Sequence, residues 1–439
     1  MIDKGDTAWI LVCSALVLLM TIPGLALFYG GMVRQRNVLA TLLQSFAALC
    51  VVSLQWILFG YSLSFGPDKF GGLIGDLSWA GLRTVGPGPY AAYAATIPHQ
   101  VFMIFQMMFA AITPALICGA FAERMKFSAF LIFTLLWSTI VYDPIAHWVW
   151  SENGFLHKLG ALDFAGGTVV HLSSGTAALV CAIVLGKRKG YPKTPMPPHN
   201  LPMTLMGAGL LWFGWFGFNA GSALEASGVA ANAFLSTHAA AAAAGLGWMF
   251  CEWKLRGKPT ALGTASGAVA GLVAVTPACG YVGPVAAIII GLIAGGLCFG
   301  GCHLKMKFGY DDSLDVVGVH GVGGTFGAIA TGLFAWTAVN AAGGNGLFHG
   351  NAGQLGTQLI AIGATVLLSA PATYLILKLV DALVGLRVSE DDEFMGLDIS
   401  QHSERAYSIG DTAIGEHVAP PHGSQMHAVE QPVLAPVAR

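Results

Sequence analysis

Two histidines lie in the middle of apolar stretches that are long enough to cross a membrane. His171 lies in DFAGGTVVHLSSG and His320 in SLDVVGVHGVGG. An ionisable side chain is costly inside hydrocarbon, so it usually faces a protein interior or a substrate path. An aspartate precedes each histidine in its own segment, Asp163 and Asp315. This repeated arrangement predicts a polar path through the membrane.

A single histidine in an apolar helix is more often a satisfied core residue, but two at matching places favour a function. As metal ligands they lack a third partner of a suitable type, so we predict no metal site and no cofactor. A membrane redox enzyme, in which paired histidines hold a haem, remains an alternative. A Soret absorbance band would identify it. Neutral imidazoles each carry one donor and one acceptor nitrogen, which suits proton transfer.

The composition is that of an integral membrane protein. The chain has 439 residues, of which 55% are hydrophobic and 10% charged, and its mean hydropathy is +0.67. A soluble protein carries about 25% charged residues. The net charge is −2 and there is no basic patch, which argues against a nucleic-acid partner.

The hydropathy pattern predicts an all-α membrane protein. A spanning helix needs about 20 apolar residues. Eleven segments of the sequence fit: 7–29, 38–64, 98–120, 128–149, 163–186, 202–220, 232–253, 261–279, 284–303, 314–336 and 355–384.

The basic residues predict the orientation. The loops after odd-numbered spans hold Arg34, Arg36, Arg124, Lys126, Lys187, Arg188, Lys189, Lys193, Lys254, Arg256, Lys258, Lys305 and Lys307. The other side holds Lys4, Lys69, Arg83 and Lys158. The positive-inside rule therefore predicts an outside N-terminus and a C-terminus in the cytoplasm. No signal peptide is expected, since the start lacks a basic region followed by a cleavage site.

The order of the spans also predicts internal symmetry. The histidines fall in spans 5 and 10, which suggests two inverted sets of five helices plus an extra helix. Such repeats commonly enclose a transport path near the midplane of the membrane. Opposed helices of this kind could bring the two imidazoles together.

The chain divides into a membrane domain, 1–384, and a cytoplasmic regulatory tail, 385–439. The tail is polar and acidic at first, and its Pro-rich end predicts disorder after about residue 410. Two further predictions concern charged residues in loops. Asp311 and Asp312 are expected in a solvated loop, and Glu123 and Arg124 are expected to contact each other.

Several motifs in order resemble the ammonium transporter family (Amt/Mep/Rh), and its bacterial Amt branch in particular. DFAGGTVVHLSSG is similar to the family signature. The resemblance runs through TIPGLALFYGGMVRQRNVL, FGWFGFNAGSA and GAVAGLVAVTPACGYVGP to VGLRVSEDDEFMGLDISQHSERAY. It thus covers almost the whole membrane region and the start of the tail.

This resemblance implies site residues. The outer recruitment site would comprise Trp150, Ser222 and Phe109, and Phe109 with Phe218 would form a stacked gate. His171 and His320 would be the twin histidines of the pore and proton relay. Support would come from Asp163, Phe105, Trp215 and Gln106. Met107 and Met108 stand where the family more often has small residues.

The resemblance also implies a homotrimer in the inner (plasma) membrane, with a PII-type signal protein as a possible partner on the cytoplasmic face. The predicted function is transport of ammonium: recruitment of NH4+, its deprotonation, and passage of NH3 with separate proton transfer along the histidines. Transport would then be electrogenic. The alternative is an ammonium sensor that signals through its tail and a bound partner.

Overall fold

The computed structural model describes residues 1–407, and these form a bundle of long apolar helices. Ten helices are long and apolar enough to cross a membrane within this part of the chain. They are α1 (Lys4–Met32), α2 (Gln35–Phe65), α3 (His99–Phe121), α4 (Phe127–Leu159), α5 (Gly167–Leu185), α6 (Leu201–Gly221), α7 (Gly228–Arg256), α9 (Pro284–Phe308), α10 (Val317–Phe334) and α11 (Ala352–Val384).

An eleventh apolar helix, α8 (Ala261–Val275), is shorter than the predicted eighth span. Its 15 residues rise about 22 Å, less than the hydrocarbon thickness of about 30 Å. The chain leaves the helix at Thr276 and continues as a mostly buried, non-helical segment until α9 begins at Pro284. The structure therefore shows an all-helical membrane protein with about ten spanning helices.

Side chains at the helix ends complete the hydrogen bonding of the first turns. A side-chain oxygen at the N-cap accepts a backbone N–H, which satisfies one of the otherwise unpaired donors of a helix start. The residues that do this for the long apolar helices and for α8 are Asp3, Asn200, Ser227, Thr260 and Asn351.

The bundle carries a broad apolar exterior, as a lipid-facing protein must. Large hydrophobic side chains are exposed along many helices, for example Leu54, Phe213, Phe250 and Leu367. Inside, small residues let the helices approach closely where hydrophobic drive is lacking.

The connection between α2 and α3 contains the only two strands of the described chain, both short. β1 (Pro89–Tyr90) pairs antiparallel with β2 (Ala94–Pro98). This short hairpin leads directly into α3, which carries two of the predicted gate and pore phenylalanines.

The start of the tail folds against the membrane part. Two short helices, α12 (Glu390–Met395) and α13 (Leu397–His402), belong to the compact unit Met1–Ala406. The Asn37 side chain accepts the Leu397 N–H at 2.9 Å, and the Asp398 carboxylate accepts the Ala40 N–H at 2.8 Å. The disorder predicted after about residue 410 lies outside the described residues.

Candidate functional site

The structure brings the two membrane histidines into direct contact. Nδ1 of His171 lies 3.2 Å from Nδ1 of His320, and the ring centroids are 5.2 Å apart. One ring donates and the other accepts, depending on the tautomers. Each histidine sits in a π-helical turn, Gly167–Leu172 in α5 and Val317–Gly321 in α10. Such turns are frequent at functional sites.

Glycines allow the two histidine-bearing helices to cross closely. A Cβ on Gly175 would lie 2.3 Å from the Cα of Gly321. A Cβ on Gly324 would lie 3.0 Å from the Cβ of His171. A larger residue at Gly175 would therefore push the helices apart, and the imidazoles with them.

A column of aromatic rings leads to this histidine pair. Phe109 and Phe218 stack with centroids 4.1 Å apart and ring planes 27° apart. On one side Trp150 meets Phe109 edge-on at 5.8 Å. On the other side His171 stacks on Phe218 at 6.1 Å. The predicted gate therefore stands between the tryptophan and the histidines, and both phenylalanines are almost fully buried.

Two further predicted residues join the column. Phe105 packs edge-on against Phe109 at 4.9 Å. The Trp215 ring stacks beside His171 at 5.5 Å, and its Nε1–H donates to the Thr276 hydroxyl at 2.9 Å. Thr276 thus holds the tryptophan in place, a positioning role that no sequence motif indicated.

Gln106 is the other predicted support residue in α3. It is next to Phe105 in α3, so its side chain leaves the helix about 100° away. Its Oε1 atom is buried and has no hydrogen-bond partner within residues 1–407. Its supporting role stays a prediction.

Asp163 organises the start of α5. Its carboxylate accepts the backbone N–H groups of Gly166, Gly167 and Thr168 at 2.6–2.8 Å and the Thr168 hydroxyl at 2.5 Å. The Asp163 carbonyl accepts the Trp150 Nε1–H at 2.9 Å. Asp163 thus acts as a backbone acceptor that ties the tryptophan to the histidine helix.

Glycine is required at position 166 in this turn. Its backbone φ is +116°, a value that residues with a side chain rarely adopt. A Cβ at this position would also lie 2.7 Å from the Val170 side chain. Residues 163–166 are therefore not helical, and the eight residues from Asp163 to His171 do not span a continuous helix as the sequence suggested.

Ser222 lies at the end of α6, four residues after Phe218. Its hydroxyl donates to the Phe218 carbonyl at 2.8 Å, and the side chain is half-buried. With the hydroxyl hydrogen engaged, the oxygen lone pairs remain available to accept an N–H from a ligand. Ser222 is thus joined to Phe218 through the backbone, and Trp150 contacts Phe109, the other ring of the stacked pair.

The space around the histidines differs on the two sides of the pair. A cavity of about 10 Å³ adjoins both imidazoles, about the volume that one water molecule needs. Its walls are mostly apolar and include Met20, Leu25, Phe28, Ile112, Leu116, Val170, Leu211 and Val269. His320 also lines a cleft of about 430 Å³ that contains Lys305 and Asp315.

Comparison with known proteins matches nearly all of this chain. The model of the Ammonium Transporter Family matches residues 8–407. An ammonium transporter of Bacillus subtilis is 56% identical over 406 residues, which cover 92% of this chain and 99% of that protein. The chain belongs to the ammonium transporter family. Proteins of this family are transport proteins and not enzymes.

Other relatives of this ammonium transporter family member agree in sequence and in fold. Amt1 of Archaeoglobus fulgidus is 49% identical over 406 residues, 92% of this chain and 100% of that protein. The crystal structure of Saccharomyces cerevisiae Mep2 has a TM-score of 0.83 at 40% identity, covering 89% and 88% of the two chains. A structure titled "Sensor Amt Protein" also has a TM-score of 0.83, at 30% identity, covering 91% and 98%.

At the opposite end of the transporter from Trp150, two sequence expectations were wrong. Asp311 and Asp312 are buried, with at most 1% of their surface exposed, and do not form a solvated loop. Asp311 binds the Arg188 guanidinium at 2.9 Å. Burial, which alone raises a carboxyl pKa, is outweighed here by Arg188, so the pKa of Asp311 is lowered. Because Arg188 lies in a loop distant in the sequence, no local pattern around Asp311 predicts this ion pair.

Glu123 and Arg124 do not pair with each other, because each has other partners. Glu123 binds Arg34 at 2.7 Å and Arg188 at 3.0 Å, while the Arg124 guanidinium donates to the Ser313 hydroxyl at 2.7 Å. These contacts join four separate loops at the Arg34 end of the transporter. The two cations keep the pKa of the Glu123 carboxyl low although burial opposes this.

The sequence analysis paired Asp163 with Asp315 as the equivalent aspartates of the two halves, and the structure shows that Asp312 is the equivalent residue. Asp163 lies eight residues before His171, and Asp312 lies eight residues before His320. Asp312, like Asp163, accepts a backbone N–H from the start of the histidine helix, that of Val317 at 2.8 Å. Asp315 instead pairs with Lys305 at 2.6 Å. The equal eight-residue spacing from aspartate to histidine could have identified Asp312 from the sequence.

Proposed function

We propose that this transporter recruits NH4+ at Trp150, Phe109 and Ser222, removes a proton, and conducts NH3 past the Phe109–Phe218 gate. The proton crosses separately along His171 and His320. The observation that carries the proposal is the 3.2 Å contact between the imidazoles, behind a stacked gate and beside an apolar cavity of about 10 Å³.

Selectivity against potassium follows from two filters. Aromatic faces attract a cation by about 0.5–2 kcal/mol, and the Ser222 oxygen can accept an N–H that potassium lacks. A dry passage provides the second filter, because moving a full charge out of water costs several kcal/mol even after relaxation. Ammonium can leave its proton behind and cross as a neutral molecule, whereas potassium cannot.

The relay moves one proton per step. A proton that binds Nε2 of His171 makes this ring cationic, and its Nδ1–H then passes to Nδ1 of His320. His320 releases the proton on its own Nε2 to the cleft that it lines. One proton enters and one leaves, so net positive charge crosses and transport is electrogenic. The pair ends in the other tautomeric state and resets before the next proton.

The arrangement in the membrane is part of this proposal. Eleven crossings, with α8 included, give two inverted sets of five helices and an extra helix, α11. α5 starts near Trp150 and α10 starts near Arg188, so the histidine helices run in opposite directions. The Arg34 end, rich in basic residues, faces the cytoplasm, and the N-terminus faces outside. The membrane is the inner (plasma) membrane.

Assembly and regulation are proposed from family membership. The chain forms a homotrimer with one path per subunit, and its tail from residue 385 is a regulatory segment at the cytoplasmic face. A PII-type signal protein is the proposed partner there. The docking of α12 and α13 onto the loops supports a tail that influences the path.

A second candidate function is sensing. The likeness to a structure titled "Sensor Amt Protein", at 30% identity, favours it. A sensor would bind ammonium at the same outer residues and report through the docked tail. A sensor without transport would give no sustained ammonium current, which separates the two functions.

The histidine relay is tested with purified protein in liposomes. His171→Ala should abolish the current that an ammonium pulse drives, because the proton then has no route beside Phe218. His157→Ala, an exposed histidine outside the column, is the control and should retain the current. A folded His171→Ala variant with undiminished, ammonium-selective current would overturn the relay.

A further inference from the structure

The helices that carry the two histidines begin in a similar way. Eight residues before each histidine, a buried aspartate accepts backbone N–H groups of the first helical turn. Asp163 does so for the helix of His171 and Asp312 for the helix of His320. A carboxylate near a helix start also interacts favourably with the helix dipole. Both aspartates therefore position a relay histidine.

The two carboxylates differ in how completely they are satisfied. Asp163 accepts several N–H groups and, in addition, the hydroxyl of Thr168, five residues further on. Five residues after Asp312 stands Val317, which has no hydroxyl. Oδ1 of Asp312 is buried and has no hydrogen-bond partner within residues 1–407. A buried carboxylate oxygen without a donor favours protonation.

The charged and titratable groups around Asp312 come from four parts of the chain. They are Tyr29, Arg124, Cys302, Lys305, Tyr310 and Asp315. Lys305 is engaged elsewhere, since its ammonium group binds the Asp315 carboxylate at 2.6 Å and the Asp312 backbone carbonyl at 2.9 Å. Its charge opposes protonation of Asp312 only in part.

The result is a carboxyl that titrates near physiological pH. Burial raises the pKa of Asp312 to about 6, with Lys305 opposing and Asp315 adding to the rise. Above this pH the group is a carboxylate and below it a neutral acid. In Asp163, by contrast, both carboxylate oxygens accept hydrogen bonds.

We propose that Asp312 positions the helix of His320, and that its protonation slows proton transfer along the histidine pair. The ionised form holds the Val317 N–H more strongly than the neutral acid does. This inference rests on the proposed transport function and adds a pH-dependent control to it.

The test measures ammonium-driven current in liposomes whose two sides have the same pH, varied from about 5 to about 8. Equal pH removes any proton gradient and makes the orientation of the protein unimportant. The wild-type current should fall as pH is lowered, with a midpoint near pH 6. Asp312→Asn keeps an acceptor for the Val317 N–H but cannot titrate, so its current should not change over this range.

Val317→Thr is the second variant, since it restores the hydroxyl that Thr168 provides at Asp163. One added hydrogen bond to the charged form should lower the midpoint by about one pH unit. The threonine side chain is close to valine in shape, so we expect the variant to fold, and thermal unfolding checks this.

The outcomes separate this inference from the transport function. The inference is overturned if wild type, Asp312→Asn and Val317→Thr carry currents with the same pH profile, or if Val317→Thr leaves the midpoint in place. A wild-type protein that carries no ammonium current at pH 8 would instead overturn the transport function itself.

Discussion

At the scale of single residues, the proposed path depends on groups that would treat NH4+ and NH3 differently. In the proposal, Trp150 and Phe109 attract the cation, and Phe218 stacks between Phe109 and His171. The proposed relay uses a neutral imidazole pair beyond the gate, which can accept and donate protons but holds no permanent charge. Each residue therefore contributes to one step, and substitutions should separate the steps.

Ser222→Ala should weaken ammonium recruitment and leave the later steps intact. The variant removes one acceptor, and a single hydrogen bond of about 1 kcal/mol corresponds to about a five-fold rise in the apparent KM. The maximal current should stay close to that of wild type, since the gate and the relay are unchanged. Concentration dependence of the liposome current measures both quantities.

Ser128→Ala is the matched control for this prediction. This serine is exposed at the start of α4, away from the aromatic column, and its loss should change neither quantity. An unchanged KM in Ser222→Ala would remove the serine from the recruitment site.

At the scale of elements, the site depends on how closely α5 and α10 cross. Gly175 and Gly321 meet at the crossing, and Gly324 lies against His171. π-helical turns in both helices carry the histidines where they cross. The geometry of the relay is thus a property of helix packing and not of the histidines alone.

Gly175→Ala should separate these helices and impair the relay. The added Cβ would lie 2.3 Å from Gly321, far inside normal contact, so the backbone must move. We expect a lower melting temperature and at least a ten-fold smaller current, because a proton transfer needs hydrogen-bond distance between the imidazoles. Melting curves and the liposome current measure these effects.

Gly209→Ala is the control, since its added methyl group meets no atom within 4 Å. Alanine should stabilise that helix slightly. Equal currents in both glycine variants would show that the close crossing is not needed.

The sequence predicted most of the helices, and it singled out the two histidines that the structure brings into contact. Long apolar runs marked ten of the helices, and the two histidines marked the path. Local patterns did not show that the start of α5 is irregular at Gly166, or that α8 ends at Val275. Both depend on tertiary contacts.

The sequence was least informative at the Arg34 end. Asp311 and Asp312 are adjacent acidic residues in a loop, a pattern typical of solvent exposure. Arg188 lies more than 100 positions from Asp311, so only the fold reveals the pair. The roles assigned to Trp150, Ser222 and the other pore residues remain predictions that the variants above test.

At the scale of the whole molecule, the tail is joined to the membrane part by buried polar contacts. Glu393 is 1% exposed and binds the Arg387 guanidinium at 2.6 Å and the Lys189 N–H at 2.7 Å. Asp398 holds the start of α2 in a similar way. The tail therefore contacts the loop after α5, whose helix carries His171.

Glu393→Ala should release the tail. It leaves Arg387 and a backbone donor without their acceptor, a loss of about 1–3 kcal/mol. Trypsin should then cut the tail several-fold faster, as gel analysis over time will show. Glu390→Ala, which removes an exposed pair with Lys189, is the control and should change little. Equal cleavage rates in the two variants would contradict the docking role of Glu393.

The measurement that tests the account most directly is the current of the wild-type protein in liposomes. Pulses of ammonium and of potassium at equal concentration are compared in the same preparation. Separate passage of NH3 and a proton predicts a sustained inward positive current with ammonium and none above the protein-free background with potassium. Equal currents with both ions, or no current with ammonium, would contradict it.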